Sequence, residues 1–213
     1  MRQLPLEISS RAEPDFGNFV PGANAEALAS VRALAAGSLS ETIVYLWGGP
    51  GSGRTHLLRA AAGVDPELVV ADDVAQLDEA AQQSLFVAIN AARQGQARVL
   101  AAGDLAPAQL ALREDLRTRL AWGLVYHLKP LTDGEKAAHL RAEAARRGLA
   151  LSEELVAYLL ARLPRDLSSL KDVLDLLDRH SLARQRPLTL PLVREALAEA
   201  MERGLIPRQA GFP

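Results

Sequence analysis

The sequence predicts an α/β fold: a parallel sheet covered on both faces by helices, followed by a C-terminal all-helical domain. Three observations predict it. Up to residue 130, short apolar runs alternate with amphipathic segments, the rhythm of parallel strands joined by crossover helices. Gly48-Gly49-Pro50-Gly51-Ser52-Gly53-Arg54-Thr55 stands between one such run and the next amphipathic segment, where a strand turns tightly into a helix. Beyond Pro130 only helical periodicity remains.

Residues 1 to about 20 carry Pro5, Pro14 and Gly17 with little periodicity and read as an extended leader. Asn24 is placed to cap a helix with Leu28, Val31, Leu34 and Ala35 on one face, and Gly37 to stop it. Thr42–Trp47 is β-branched and aromatic, a buried strand entering the glycine-rich loop. His56–Ala62 reads as a helix broken by Gly63 and Pro66, and Glu67–Ala71 as a second buried strand ending on Asp72-Asp73. Asp78 caps a helix whose apolar face is Ala81, Leu85, Ile89 and Ala92. Arg98–Ala102 forms a third strand, Glu114–Leu120 a short helix and Leu124–Leu128 a fourth strand.

Thr132-Asp133-Gly134-Glu135 is a capping box, Ser152 caps a second helix of this region, Asp166 precedes a third, and a fourth runs from about Thr189 to Arg203. The expected organisation is a leader over 1–18, an α/β nucleotide-binding domain over 19–130 and a helical lid domain over 131–213.

Composition excludes several classes. The 213 residues are 49% hydrophobic and 23% charged, ordinary for a globular protein. There is no cysteine, so disulfide frameworks, thiolate zinc sites and a cysteine nucleophile are out. No uncharged apolar stretch approaches the roughly 18 residues of a membrane span, and the N-terminus lacks a signal core, so a cytoplasmic protein is expected. Lys+Arg number 24 against 26 Asp+Glu, a net charge of -2, so any DNA contact is indirect or weak. His56, His127, His139 and His180 are scattered without metal-ligand spacing.

The loop fits G-x-x-x-x-G-K-[ST] with Arg54 in the lysine position. Its glycines let backbone N–H groups curl around phosphate oxygens above a helix N-terminus, and Thr55 offers a hydroxyl to magnesium. Arginine keeps the charge but is planar and bulkier, which suits holding a diphosphate better than clamping a transferring γ-phosphoryl. Asp72-Asp73 after an apolar strand is the Walker B pattern: the first carboxylate orients magnesium and the second polarises a water. Asp104, at the tip of the next strand, has the position of a γ-phosphate sensor.

Arg117-Thr118-Arg119-Leu120-Ala121-Trp122-Gly123-Leu124, after Glu114-Asp115-Leu116, resembles the arginine-finger box of the DnaA family of AAA+ proteins, and Phe19-Val20-Pro21-Gly22-Ala23-Asn24 resembles that family's adenine-side motif. The resemblance runs from residue 3 to about 203 and points to the family's regulatory inactivators, not to its initiators. It implies an AAA+ fold with a helical lid, an adenine nucleotide (ADP rather than ATP) with Mg2+, and DnaA as partner. Val20, Pro21, Asn24, Gly48 to Thr55, His56 and Arg165 would hold the nucleotide. Thr55 and Asp72 would hold the metal.

The same resemblance implies that Arg119 is an arginine finger acting in trans on DnaA-bound ATP; Arg117 reads as a surface or DNA-phosphate contact and Trp122 as core packing. Gln3-Leu4-Pro5-Leu6 is similar to the peptide by which these inactivators dock on the replication sliding clamp, with Gln3, Leu4 and Leu6 as contacts. That docking implies association with the nucleoid, and a homodimer in the nucleotide-bound form is compatible with the family. The function so implied is negative regulation of replication initiation, with little hydrolysis by the protein itself.

Three departures stand out. Only 16 residues separate Thr55 from Asp72, too few for the strand and helix that the family places there; the missing strand would lie at the sheet edge. Leu167 falls on the lid's sensor-arginine position, with Arg165 as the available substitute. The chain ends soon after the lid, without the family's DNA-reading domain. Two other readings stay open: a stand-alone ATPase resembling a helicase loader, using Asp72, Asp73 and Asp104 on its own ATP, and a nucleotide-independent adaptor.

Overall fold

A computed structural model describes residues 13–162, 167–184 and 188–202. One compact unit ends at Leu131 and a second begins at Thr132. In the first, four strands form one parallel sheet: β1 Ile43–Trp47, β2 Val69–Ala71, β3 Val99–Gly103 and β4 Leu124–His127, in the order β2-β3-β1-β4. β1 is central, with Val44 opposite Leu100 on β3 and Leu124 on β4. Every residue of β3 is buried, whereas edge strand β4 alternates.

Alternation along β1 sends its side chains into two separate cores. Val44 and Leu46 pack with helices α1 (Ala25–Ala35) and α2 (Arg54–Val64) on one face. Ile43 and Tyr45 pack with α3 (Glu79–Arg93) and α4 (Glu114–Leu120) on the other. This is the layered arrangement the strand–helix rhythm predicts.

Several local expectations are met atom by atom. Asp78 accepts the Ala81 N–H (2.8 Å) to cap α3. Gly37, at φ +69°, closes α1 as Ser38 N–H reaches back to the Ala33 carbonyl, the left-handed stop that favours glycine. Others are corrected. Asn24 does not cap α1: its side chain is buried and bonds both backbone groups of Lys129, 105 residues away. Helix α2 runs through Gly63 to Val64. Strand β2 has only three residues, all half-buried, as it is an edge of the sheet among the described residues. Trp122 is 40% exposed and is not core packing.

The second unit is all helical: α5 Asp133–Arg146, α6 Glu153–Arg162, α7 Leu167–Arg184 and α8 Leu190–Glu202. The capping box at Thr132 is complete, the Thr132 N–H donating to Glu135 Oε2 (2.8 Å) and the Glu135 N–H to Thr132 Oγ1 (3.2 Å). Leu140, Leu159, Leu174 and Leu197, one from each helix, share a single core. Arg147 pairs with Glu143 on its own helix and with Asp175 on α7.

Candidate functional site

The carboxyl ends of β1, β2 and β3 gather the loop and its carboxylates at one edge of the sheet, the edge where open α/β folds bind ligands. β1 ends at Trp47 and the loop 48–53 follows directly, with α2 opening at Arg54. Gly51 (φ +76°) and Gly53 (φ +96°) take left-handed conformations that a side chain would strain. A Cβ at Gly53 would lie 2.6 Å from Phe19 Cε2, whereas Cβ atoms at Gly49 and Gly51 would meet nothing within 4 Å. The loop is thus closed beneath by Phe19 and open at its tip, where Gly49, Pro50 and Gly51 face solvent.

Two donors inside this loop have no acceptor. Ser52 is buried with Oγ unpartnered, and Arg54 Nη1 is likewise buried and unpartnered. Buried polar groups are nearly always satisfied, and an exception marks a ligand or water. Arg54 Nη2 approaches Asp73 Oδ1 at 3.4 Å, with the arginine side chain 13% exposed and the aspartate 60%.

Below it, the Thr55 hydroxyl donates to Asp72 Oδ2 (2.6 Å), and the Asp73 N–H donates to Asp72 Oδ1 (3.0 Å). Asp73 sits at φ 44°, the sole non-glycine residue with positive φ among those described. Asp104 is exposed just past β3.

These residues fit a nucleotide with magnesium. Open backbone at Gly49 and Gly51 and the two orphaned donors suit phosphate oxygens, and a hydroxyl beside a carboxylate suits a cation that takes its remaining ligands from phosphate and water. Among the described residues no three His, Cys, Asp or Glu cluster to hold a metal alone. Tyr45, absent from the sequence-based site, lies beneath it. Burial pushes its phenol above the usual value, Arg54 pulls it back and Asp104 raises it further, while its hydroxyl donates to the Leu105 carbonyl (2.8 Å). Nothing in an apolar strand run marks that residue as lying within electrostatic reach of the site.

On the adenine side, His56 Nε2 meets the Asp15 carbonyl (2.9 Å) and its ring tilts against Phe19 at 5.4 Å. Val20 and Pro21 are half-buried, and the amide of Asn24 is committed to Lys129. Gln3, Leu4, Leu6 and Arg165 lie outside the described residues.

Arg119 belongs to a different corner. Its Nε donates to Asn90 Oδ1 (3.0 Å) on α3 and its Nη1 to the Asp115 carbonyl (2.9 Å). Its guanidinium lies 4.2 Å from the Phe86 ring centroid and 5.0 Å from that of Trp122, whose other neighbour is Arg93 at 4.3 Å. Arg113 holds the Asp115 carboxyl below its usual range through a two-point pair. Trp122 and Gly123 line a hollow of about 350 Å³ with Ser40, Thr42 and Ile43 at the start of β1. The loop follows the end of β1, so five strand residues, roughly 16 Å at the usual rise, separate the two corners.

Strand order, phosphate loop, carboxylate strand and helical second unit define a P-loop module of the AAA+ class. The described helices include none long and apolar enough to cross a membrane. A family model for the Hda lid domain matches residues 133–197. An uncharacterized protein of Haemophilus influenzae is 34% identical over 230 aligned positions, covering 92% of this chain and 98% of that protein; the alignment exceeds the 213 residues of the chain, so the relative carries residues that this chain lacks.

Domain III of the Thermotoga maritima replication initiation protein DnaA superposes with a TM-score of 0.70 at 20% identity, covering 88% of this chain and 97% of that one. AMPPCP-bound DnaA from Aquifex aeolicus gives 0.68 at 20% identity, covering 91% and 70%. The chain belongs to the Hda/DnaA-related AAA+ proteins.

Proposed function

We propose that this protein is a nucleotide-bound regulator that inactivates the initiator DnaA by presenting Arg119 to DnaA-bound ATP. One observation supports the reading: the Arg119 guanidinium is held by Asn90 and the Asp115 carbonyl beside Trp122, and Trp122 lines the hollow at the start of β1, the end of that strand away from the phosphate loop. A phosphate that Arg119 serves would then belong to another molecule. A guanidinium supplied in trans neutralises charge that spreads over the γ-phosphoryl oxygens in the transition state. The partner is inferred from membership of the family and from the likeness of the fold to DnaA domain III.

In this reading the loop 48–55 holds an adenine nucleotide, ADP in preference to ATP, with Ser52 Oγ and Arg54 Nη1 completing their hydrogen bonds on phosphate. Thr55 and Asp72 orient magnesium, which would neutralise phosphate charge, and Phe19 and His56 flank the base side. Gln3, Leu4 and Leu6 dock the protein on the sliding clamp, which brings it to DNA and to the nucleoid. Asp104 keeps its place near the terminal phosphate, and Arg165 serves as lid sensor.

The test is hydrolysis of DnaA-bound ATP on clamp-loaded DNA, with the native protein, Arg119→Ala and Gln3→Ala/Leu4→Ala compared. Stimulation by the native protein and its loss in both variants supports finger and docking together. Arg119→Ala as active as native would overturn the finger. Turnover of ATP by the isolated protein, abolished by Asp73→Asn, would instead favour a stand-alone ATPase.

A further inference from the structure

The second carboxylate after β2 is placed where a hydrolytic enzyme would keep it clear. Hydrolysis needs a water to attack the γ-phosphorus, the bond from that phosphorus to the β–γ bridging oxygen to break, and a base to take the water's proton. By its place after β2, Asp73 is the candidate to take it, yet Arg54 Nη2 lies 3.4 Å from its Oδ1. The Asp73 backbone is set in the left-handed region with its N–H on Asp72, which fixes where the side chain leaves the chain, while the carboxylate itself is 60% exposed. The arginine is not a loose surface group: its side chain is 13% exposed.

The guanidinium therefore faces two ways. One nitrogen meets Asp73, while Nη1 is buried without an acceptor, as is the hydroxyl of Ser52 in the same loop. A planar fork with five donors can serve a carboxylate and a phosphate at once, whereas an ammonium is a single point charge.

We propose that Arg54 is a latch between Asp73 and the terminal phosphate of a bound nucleoside diphosphate, so that Asp73 positions Arg54 for retention of the nucleotide and is not free to promote its hydrolysis. This rests on the reading that the loop holds nucleotide, and goes beyond it by assigning Asp73 the part of a positioning residue in place of a proton acceptor.

The test uses the full chain with fluorescent mant-ADP and mant-ATP titrations, together with phosphate release from ATP. Asp73→Asn is expected to weaken mant-ADP binding about fivefold at most, the loss of one partly exposed ion-pair partner of Arg54, with the far-UV circular dichroism unchanged. Simple removal of a negative charge near an anionic ligand predicts the opposite, tighter binding, and that result overturns the latch.

Arg54→Lys is expected to keep binding, to shift preference toward mant-ATP and to raise phosphate release at least tenfold, a gain that Arg54→Lys/Asp73→Asn removes. Binding without that gain sinks the latch and leaves nucleotide retention standing. If the native chain binds neither nucleotide, the nucleotide reading itself fails, and the latch with it.

Discussion

An arginine lies toward each end of β1, and the two are built in opposite ways. Arg54, at the carboxyl end, is nearly buried, touches one carboxylate and leaves a nitrogen without an acceptor. Arg119, toward the amino end, is half-buried, with an amide oxygen, a backbone carbonyl and two aromatic rings around it. An unfinished hydrogen-bond set inside a loop is a site waiting for its own ligand. A guanidinium held at several points on the surface has already lost its rotamer freedom, so a docking partner need not supply that ordering. Under the proposed function, the difference separates an arginine that would retain a nucleotide from one that would be offered to a partner.

Predictions follow the same contrast. The largest effect belongs to Arg119→Ala, expected to lower stimulation of DnaA-bound ATP hydrolysis by about 10³-fold while ADP still raises the unfolding temperature of the protein. Arg54→Ala should do the reverse, abolishing the ADP-dependent rise. Parallel loss of both properties in either variant would erase the distinction between the two ends.

Gly123→Ala strikes the frame of the amino-end corner. A Cβ there would fall on the Ile43 carbonyl, backbone that cannot give way, so a loss of about 3 kcal/mol is expected from overpacking, read as a lower urea midpoint. Asn90→Ala removes only the amide that orients Arg119. A charge-assisted hydrogen bond of this kind is worth roughly tenfold in rate, and the sharper form of the prediction is that stimulation falls with no change in urea midpoint.

The smallest effect lies in the helical unit, which should move neither arginine. Burial holds the His139 imidazole below its ordinary range, Lys171 and Arg146 add to the lowering, and Glu143 opposes them. The folded unit therefore favours neutral His139. Its contribution to stability is complete above pH 6.5 and declines as the pH falls toward the depressed folded value, where the unfolded chain binds the extra proton. His139→Gln should flatten the change in unfolding midpoint between pH 7.5 and pH 5.

Much of this was legible in the sequence because it is local. The phosphate loop is a contiguous run in which Gly51 and Gly53 take left-handed conformations, and Thr55 follows it at the start of α2. Asp78 and Thr132 cap where a polar residue precedes an apolar helical face. The chemistry that escaped is long-range. Asn24 has the form of a cap, but its two bonds go to Lys129. Tyr45 sits in an apolar run, and only packing brings its phenol near both Arg54 and Asp104. Trp122 has a core residue's composition, but lies with Arg93 and Arg119 at the surface.

By itself the sequence determined the order of strands and helices, the class of fold, and the loop and carboxylates that meet at the sheet edge. Periodicity, caps and glycine conformation act within a few residues and need no partner. Only the tertiary structure decided that β2 is half-covered, that Arg54 faces Asp73, and that Arg119 lies among Asn90, Phe86 and Trp122. Those outcomes depend on which surfaces remain after the sheet has packed, and side chains 19 or more positions apart, as Arg54 and Asp73 are, have no shared local geometry from which to read them.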